Sequence, residues 1–228
     1  MPNRLKANKS RVPKTAWRPL VRLLILGGAR SGKSRLAQDI AVRRWQRPVY
    51  LATAEILDDE MADRVRMHRR ARALKLSDPG YAGGFADSPS RSAMAERGAR
   101  AHTSGRAQRW RCVEEPLEIA KIIRRGVPGT DGILVDCLTI WLSNVLLKEG
   151  RGAFARRRDE LVKALHQARQ DVILVANEVG MGVVPEYALG RTFRDLAGWL
   201  NQSMAKEADT VVFVAAGLPL VLKGRLPE

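Results

Sequence analysis

The sequence predicts an α/β fold, a mostly parallel sheet with helices on both faces and a hairpin at its C-terminal end, and three observations carry that prediction. Short apolar runs alternate with helical patterns along most of the chain, as parallel strands joined by crossover helices require. Gly27-Gly28-Ala29-Arg30-Ser31-Gly32-Lys33-Ser34 satisfies G-x-x-x-x-G-K-[ST] without a mismatch. This motif lies between an apolar run and a stretch of good helix formers, which is the strand, loop and helix setting it needs. The fold is therefore expected to be P-loop NTPase-like. At 228 residues the chain is long enough for one such domain with a substantial core.

In chain order, Leu23–Leu26 reads as the first strand and 34–45 as the helix that the loop opens. Val49–Ala52 is the second strand, followed by a helical pattern over 58–72. Helices over 116–125 and 138–148 flank a strand at Ile133–Asp136. A helix over 153–170 leads to the strand Val172–Ala176, and one over 190–207 leads to Val211–Ala215. The tail around Leu218-Pro219-Leu220-Val221-Leu222 is expected to fold back on that last strand as a hairpin. Roughly Ala73 to Gln108 breaks the alternation, being rich in Gly, Ala, Ser and Arg and almost without apolar periodicity. Such a composition buries too little surface to offset its ordering entropy, so it is expected to be a disordered insertion in a single domain over 21–228.

The formal charge is +16, which by itself would point to a polyanionic partner. Residues 1–20 and 69–111 account for +13 of it, which leaves the domain proper nearly balanced. Neither basic segment interleaves aromatics as a stacking platform for single strands does, so both are expected to be solvated, with 1–20 a disordered extension and nucleic acid not favoured as a partner. Cys112 and Cys137 are too few for a disulfide framework or a zinc site and lie in contexts expected to bury them. No apolar run approaches the roughly 20 residues that span a bilayer, and a soluble, cytoplasmic protein is expected.

In the phosphate loop, glycines let successive N–H groups face a phosphate chain at a helix N-terminus. Lys33 is expected to reach the β- and γ-phosphates and the Ser34 hydroxyl to ligate Mg²⁺. Ligands of parallel sheets gather at the carboxyl ends of the strands, where Ala52-Thr53-Ala54, Asp136 and the glycine-punctuated loop Asn177–Pro185 fall. Asp136 reads either as a metal anchor or as a solvated strand-end acid. His68 lies among arginines, and its spacing leaves open a solvated histidine or a nucleophile toward phosphorus.

Several motifs in one order carry a more specific likeness. Gly27–Ser34, Ala52-Thr53-Ala54, Asp58-Asp59-Glu60-Met61 with Arg64 and His68, Trp110 with Glu114-Glu115-Pro116-Leu117, Val135–Thr139, Asn177–Pro185 and Phe193–Gln202 together resemble the bifunctional adenosylcobinamide kinase/adenosylcobinamide-phosphate guanylyltransferase family of cobalamin biosynthesis. The resemblance implies transfer of the γ-phosphate of ATP or GTP to adenosylcobinamide, then transfer of GMP from GTP to the product through a guanylylated histidine, here His68. It implies that Ala52, Thr53, Ala54, Arg69, Arg70, Ala71, Arg72, Glu114 and Asp136 contact nucleotide, and that the protein is a homotrimer. Two departures are the extension over 1–20 and the insertion over 73–108 beside His68. The insertion leaves open a small-molecule kinase without guanylyl transfer, and the charge leaves open a basic nucleic-acid-binding NTPase.

Overall fold

The computed structural model describes residues 20–54 and 110–227. The expected extension over 1–20 lies outside the described residues save for Leu20. So do the helix expected over 58–72, the insertion expected over 73–108, and with them His68, Arg69, Arg70, Ala71 and Arg72.

One sheet organises the described chain. Its strands are β1 (Arg22–Gly27), β2 (Pro48–Ala52), β3 (Arg111–Glu114), β4 (Gly132–Asp136), β5 (Asp171–Asn177), β6 (Thr210–Ala215) and β7 (Leu218–Lys223), laid side by side in the order β3-β2-β4-β5-β1-β6-β7. Neighbours run parallel except β6 and β7, which form the expected antiparallel hairpin. The helices are α1 (Lys33–Arg44), α2 (Ile119–Arg125), α3 (Leu138–Glu149), α4 (Phe154–His166) and α5 (Ala188–Glu207), with a single 3₁₀ turn at Arg151–Ala153.

Alternation along the strands sorts the core into two layers. Leu24, Leu26, Ile133, Val135, Val172 and Leu174 pack with α2, α3, α4 and α5, while Leu23, Ile25, Tyr50, Leu134, Ile173 and Val175 pack with Ala37, Ile40 and Ala41 of α1. The central strands are thus covered on both sides, which is why they read as continuous apolar runs rather than as alternating ones. Helices lie on both faces as expected, unequally divided among the described residues.

Three differences from the sequence reading have physical causes. β3 was not expected: its residues Arg111, Cys112 and Glu114 are exposed, so its strand character comes from backbone pairing with β2 and not from apolar content. The expectation that both cysteines are buried holds for Cys137 and fails for Cys112, which sits exposed on this edge strand. The helix expected from 116 starts at Ile119, because the Glu115 carboxylate accepts the N–H groups of Leu117 and Glu118 at 3.0 and 2.9 Å and holds a turn ahead of it. The helix expected to reach 170 ends at His166. Gln170 is engaged instead with the α2–β4 connection, accepting the Val127 N–H at 2.8 Å and donating to Val127 and Thr130 carbonyls.

Register brings chemistry to one edge. Gly27 pairs with Asn177, and Ala52 pairs with both Asp136 and Glu114. These residues end their strands on the side where parallel sheets bind ligands.

Candidate nucleotide site at the carboxyl edge of the sheet

β1 delivers Gly27 to the edge and α1 begins six residues later at Lys33. A Cβ on Gly27 would lie 2.5 Å from the Val214 carbonyl of β6, so only glycine lets the two strands pair here. Arg30 and Gly32 adopt left-handed backbone, with φ of 55° and 98°, which reverses the chain and turns the first N–H groups of α1 outward. The loop is braced from the β6–β7 turn: the Gly217 N–H donates to the Ser31 carbonyl at 2.8 Å. Lys33 folds back over the loop and donates through Nζ to the Gly28 carbonyl at 3.0 Å. Its side chain is buried, and that desolvation holds its pKa below the usual lysine value against the opposing pull of Cys137 and Asp136. Such an ammonium gains from any anion brought into the loop.

Asp136, at the end of β4, is gripped at both oxygens. Ser34 Oγ donates to Oδ1 at 3.3 Å and the Tyr50 hydroxyl donates to Oδ2 at 2.9 Å. The structure therefore brings together Lys33, Ser34 and Asp136, and Asp136 is held by Ser34 and Tyr50 at the edge of the loop. Ala52 and Glu114 stand in the same row of the sheet as Asp136, with Glu114 exposed.

Thr53, fully buried, has its hydroxyl engaged on both sides of one residue, accepting the Cys137 N–H at 2.9 Å and donating to the Cys137 carbonyl at 2.8 Å. Asn144 of α3 donates to the carbonyls of Thr53 and Pro116 at 2.8 and 3.1 Å. Together these bonds fix the segment Ala52-Thr53-Ala54 against the start of α3. Burial, and then the adjacent Asp136 charge, push the Cys137 thiol up to about 11. On the other flank, the Glu178 N–H donates to the Gly27 carbonyl at 3.1 Å, tying the loop after β5 to the phosphate loop. Beyond it Met181, Val183, Val184 and Tyr187 are exposed.

Three contributors escaped the sequence reading. Tyr50 was legible as the one hydroxyl in an apolar strand, Gly217 as a glycine at the hairpin turn, and Asn144 as an amide on the apolar side of α3. In each case the partner lies far along the chain, and nothing local names it.

A model of the cobinamide kinase / cobinamide phosphate guanyltransferase family matches residues 23–78 and 86–222. The chain belongs to that family. It is 39% identical to the bifunctional adenosylcobalamin biosynthesis protein CobP of Pseudomonas aeruginosa over 204 residues, which are 90% of this chain and 98% of that protein. It is 33% identical to the CobU protein of the same description from Salmonella typhimurium and 31% to that from Escherichia coli, each over 88% of this chain and 99% of the relative. As a family member the protein is an enzyme with two transfers, cobinamide kinase and cobinamide phosphate guanylyltransferase, in adenosylcobalamin biosynthesis. The family match takes in the phosphate loop, Ala52-Thr53-Ala54, His68, Arg69–Arg72, Glu114 and Asp136, and it breaks at 79–85. No helix among the described residues is long and apolar enough to cross a membrane.

Proposed function

We propose that the kinase step takes place at the carboxyl edge of the sheet, with the β- and γ-phosphates of ATP or GTP in the loop Gly27–Ser34, and that GMP then passes from GTP to the product by way of His68. The observation that carries the first half is the convergence of Lys33, Ser34 and Asp136 on one strand-loop-helix edge. Outward N–H groups at the start of α1 meet the phosphate chain, and Lys33, released from the Gly28 carbonyl, neutralises charge that spreads over the γ-phosphoryl oxygens.

Ser34 Oγ and Asp136 form a pair of hard oxygen donors at 3.3 Å, the kind that Mg²⁺ selects when it takes few protein ligands and completes its shell with phosphate and water. Mg²⁺, held by Ser34 and Asp136, would offset charge on the β- and γ-phosphates, while Tyr50 keeps Asp136 turned toward Ser34.

His68 and Arg69–Arg72 lie outside the described residues, and their assignment rests on the motif likeness and on the family match through 23–78. Attack by the imidazole on the α-phosphorus of GTP releases pyrophosphate, and the cobinamide phosphate oxygen then displaces the histidine, so that each half is a displacement at phosphorus by a good nucleophile. Arg69, Arg70 and Arg72 suit phosphate oxygens, and Glu114 suits donors on the guanine edge or ribose. Ala52, Ala54 and Ala71 would line the same nucleotide, with Thr53, buried and bonded to Cys137 and Asn144, holding that segment in place. The fully exposed strand β7, with Leu218, Leu220 and Leu222 more than half exposed, supports assembly into the homotrimer that the family likeness implies. Two unpaired thiols fit a reducing cytoplasm.

The test is a pair of labels. Incubation with GTP carrying ³²P at the α position should leave acid-labile label on the denatured protein, and His68→Ala should abolish it. With label at the γ position, phosphate should reach cobinamide in both proteins. Phosphorylation of cobinamide without protein-bound label in the wild type would reduce the protein to a kinase and remove His68 from the chemistry.

A further inference from the structure

Buried polar atoms are nearly always hydrogen-bonded, and one left unpaired is costly. Among the described residues two buried side-chain oxygens have no protein partner, Ser31 Oγ and Asn177 Oδ1. Both belong to the same place in the fold. Ser31 lies in the phosphate loop, its Oγ packed so closely on Gly27 that a Cβ there would approach it to 2.6 Å. Asn177 ends β5 and is the register partner of Gly27.

Alternation decides which way Asn177 faces. Ile173 and Val175 pack in the layer with α1, whereas Val172, Leu174 and Ala176 pack in the other, so Asn177 falls on the α1 side with the phosphate loop. Leu134 belongs to the same layer, which puts Asp136 on that side too. Asp136 pairs with Val175, so Asn177 reaches two residues further along the shared edge. It stands between the strand that carries the loop and the strand that carries Asp136.

The backbone at this point is held from three directions. The Asn177 N–H donates to Thr139 Oγ1 at 2.7 Å, its carbonyl accepts from Asn201 Nδ2 at 3.2 Å, and the following N–H, that of Glu178, donates to Gly27. Backbone so anchored fixes where the Asn177 side chain starts, beside the loop and on the side of the sheet that carries Asp136. The carboxamide's terminal torsion is broad in energy, which lets the oxygen turn to a ligand without moving the strand.

We infer that Asn177 is a catalytic residue of the kinase step, its Oδ1 accepting the hydrogen of the phosphoacceptor hydroxyl and aligning that oxygen with the γ-phosphorus. The inference rests on the proposed placement of the γ-phosphate in the loop. A carboxamide takes no proton, so Asn177 orients the hydroxyl and does not deprotonate it. The new O–P bond forms as the bridging P–O bond to the β-phosphate breaks, the electron pair leaves with the nucleoside diphosphate, and the hydroxyl proton passes to solvent. Guanylyl transfer to cobinamide phosphate uses a phosphate oxygen as acceptor and needs no such contact.

The experiment compares wild type, Asn177→Leu and Asn177→Asp in the full chain, with cobinamide and Mg-ATP for the kinase and with cobinamide phosphate and Mg-GTP for guanylyl transfer. Loss of a single positioned polar contact should lower the kinase kcat of N177L about 100-fold, with Mg-ATP affinity and the guanylyl rate within about threefold of wild type. Asn177→Asp keeps an acceptor oxygen and should recover part of kcat while raising the KM for Mg-ATP, because its charge opposes the phosphates. An unchanged kcat in N177L, or a parallel fall of both activities together with thermal stability, overturns the assignment while leaving the site reading intact. A wild type that phosphorylates no cobinamide overturns the site reading and this inference with it.

Discussion

Tyr50 and Asp136 are joined across neighbouring strands, the tyrosine hydroxyl donating to Oδ2 at 2.9 Å while Ser34 occupies Oδ1. Tyr50 is itself buried, with Trp110 packed edge-on at 6.4 Å between ring centroids, so its hydroxyl is a fixed support for the carboxylate. With Asp136 taken as the proposed Mg²⁺ ligand, a partner of this kind behind a ligand typically contributes 10- to 100-fold in metal affinity or activity. Tyr50→Phe should therefore shift the Mg²⁺ concentration for half-maximal kinase rate upward about 10-fold, with the rate at saturating Mg²⁺ near that of wild type. A magnesium titration of initial rates reads this directly, and superimposable curves would show that the hydroxyl supports only the apo site.

Gly27 is the tightest point of the loop. Adding a methyl there forces a Cβ to 2.5 Å from the Val214 carbonyl, whereas a Cβ on Gly28 meets nothing within 4 Å. Gly27→Ala should destabilise the fold by about 1–3 kcal/mol through overpacking, and Gly28→Ala should stay within about 0.5 kcal/mol. Urea denaturation of the two variants side by side provides the comparison. Equal midpoints would mean that β1 and β6 separate freely at this edge.

Lys33 is buried, and its pKa is lowered chiefly by that burial. Between the lowered folded value and the ordinary 10.5, the unfolded chain binds more protons than the folded one. Stability must then rise with pH through that window, and the penalty for burying the ammonium is fully present below it. Lys33→Met should accordingly raise the melting temperature of the nucleotide-free protein near pH 7, and the gain should shrink as pH approaches 10.5. Thermal melts of both proteins across pH 7 to 10.5 decide it. In the same variant phosphate binding should be lost.

The two cysteines differ in what protects them. Cys112 is exposed on β3, while Cys137 is buried beside Asp136 with its thiol pushed up to about 11. Since the thiolate is the reactive form, a disulfide reagent at pH 8 should titrate one thiol quickly in the native protein and the second only after denaturation. Cys112→Ser should abolish the fast phase. Rapid modification of Cys137 in the native protein would show that the Asp136 edge opens readily.

Much of the fold was legible because β1, β4 and β5 are covered on both faces, and such strands must be written as apolar runs. The loop was legible for a related reason: a phosphate cradle is built from contiguous residues, so Gly27, Gly32, Lys33 and Ser34 announce it without reference to anything distant. β3 was not legible, since three of its four residues face solvent and only the backbone of β2 makes it a strand. The helix boundaries at Ile119 and His166 likewise depend on Glu115 and Gln170, whose side chains bond to backbone where a local pattern shows only polar residues.

The sequence by itself determined that a nucleotide loop sits at the head of a parallel α/β sheet, because neighbouring residues impose strand, turn and helix on one another at short range. Tertiary structure alone decided what surrounds the loop. Tyr50 meets Asp136 across 86 positions, Gly217 braces Ser31 from the far hairpin, and Asn177 comes level with Gly27. These meetings follow from strand order and register, and a shift of one residue would turn each side chain to the opposite face of the sheet.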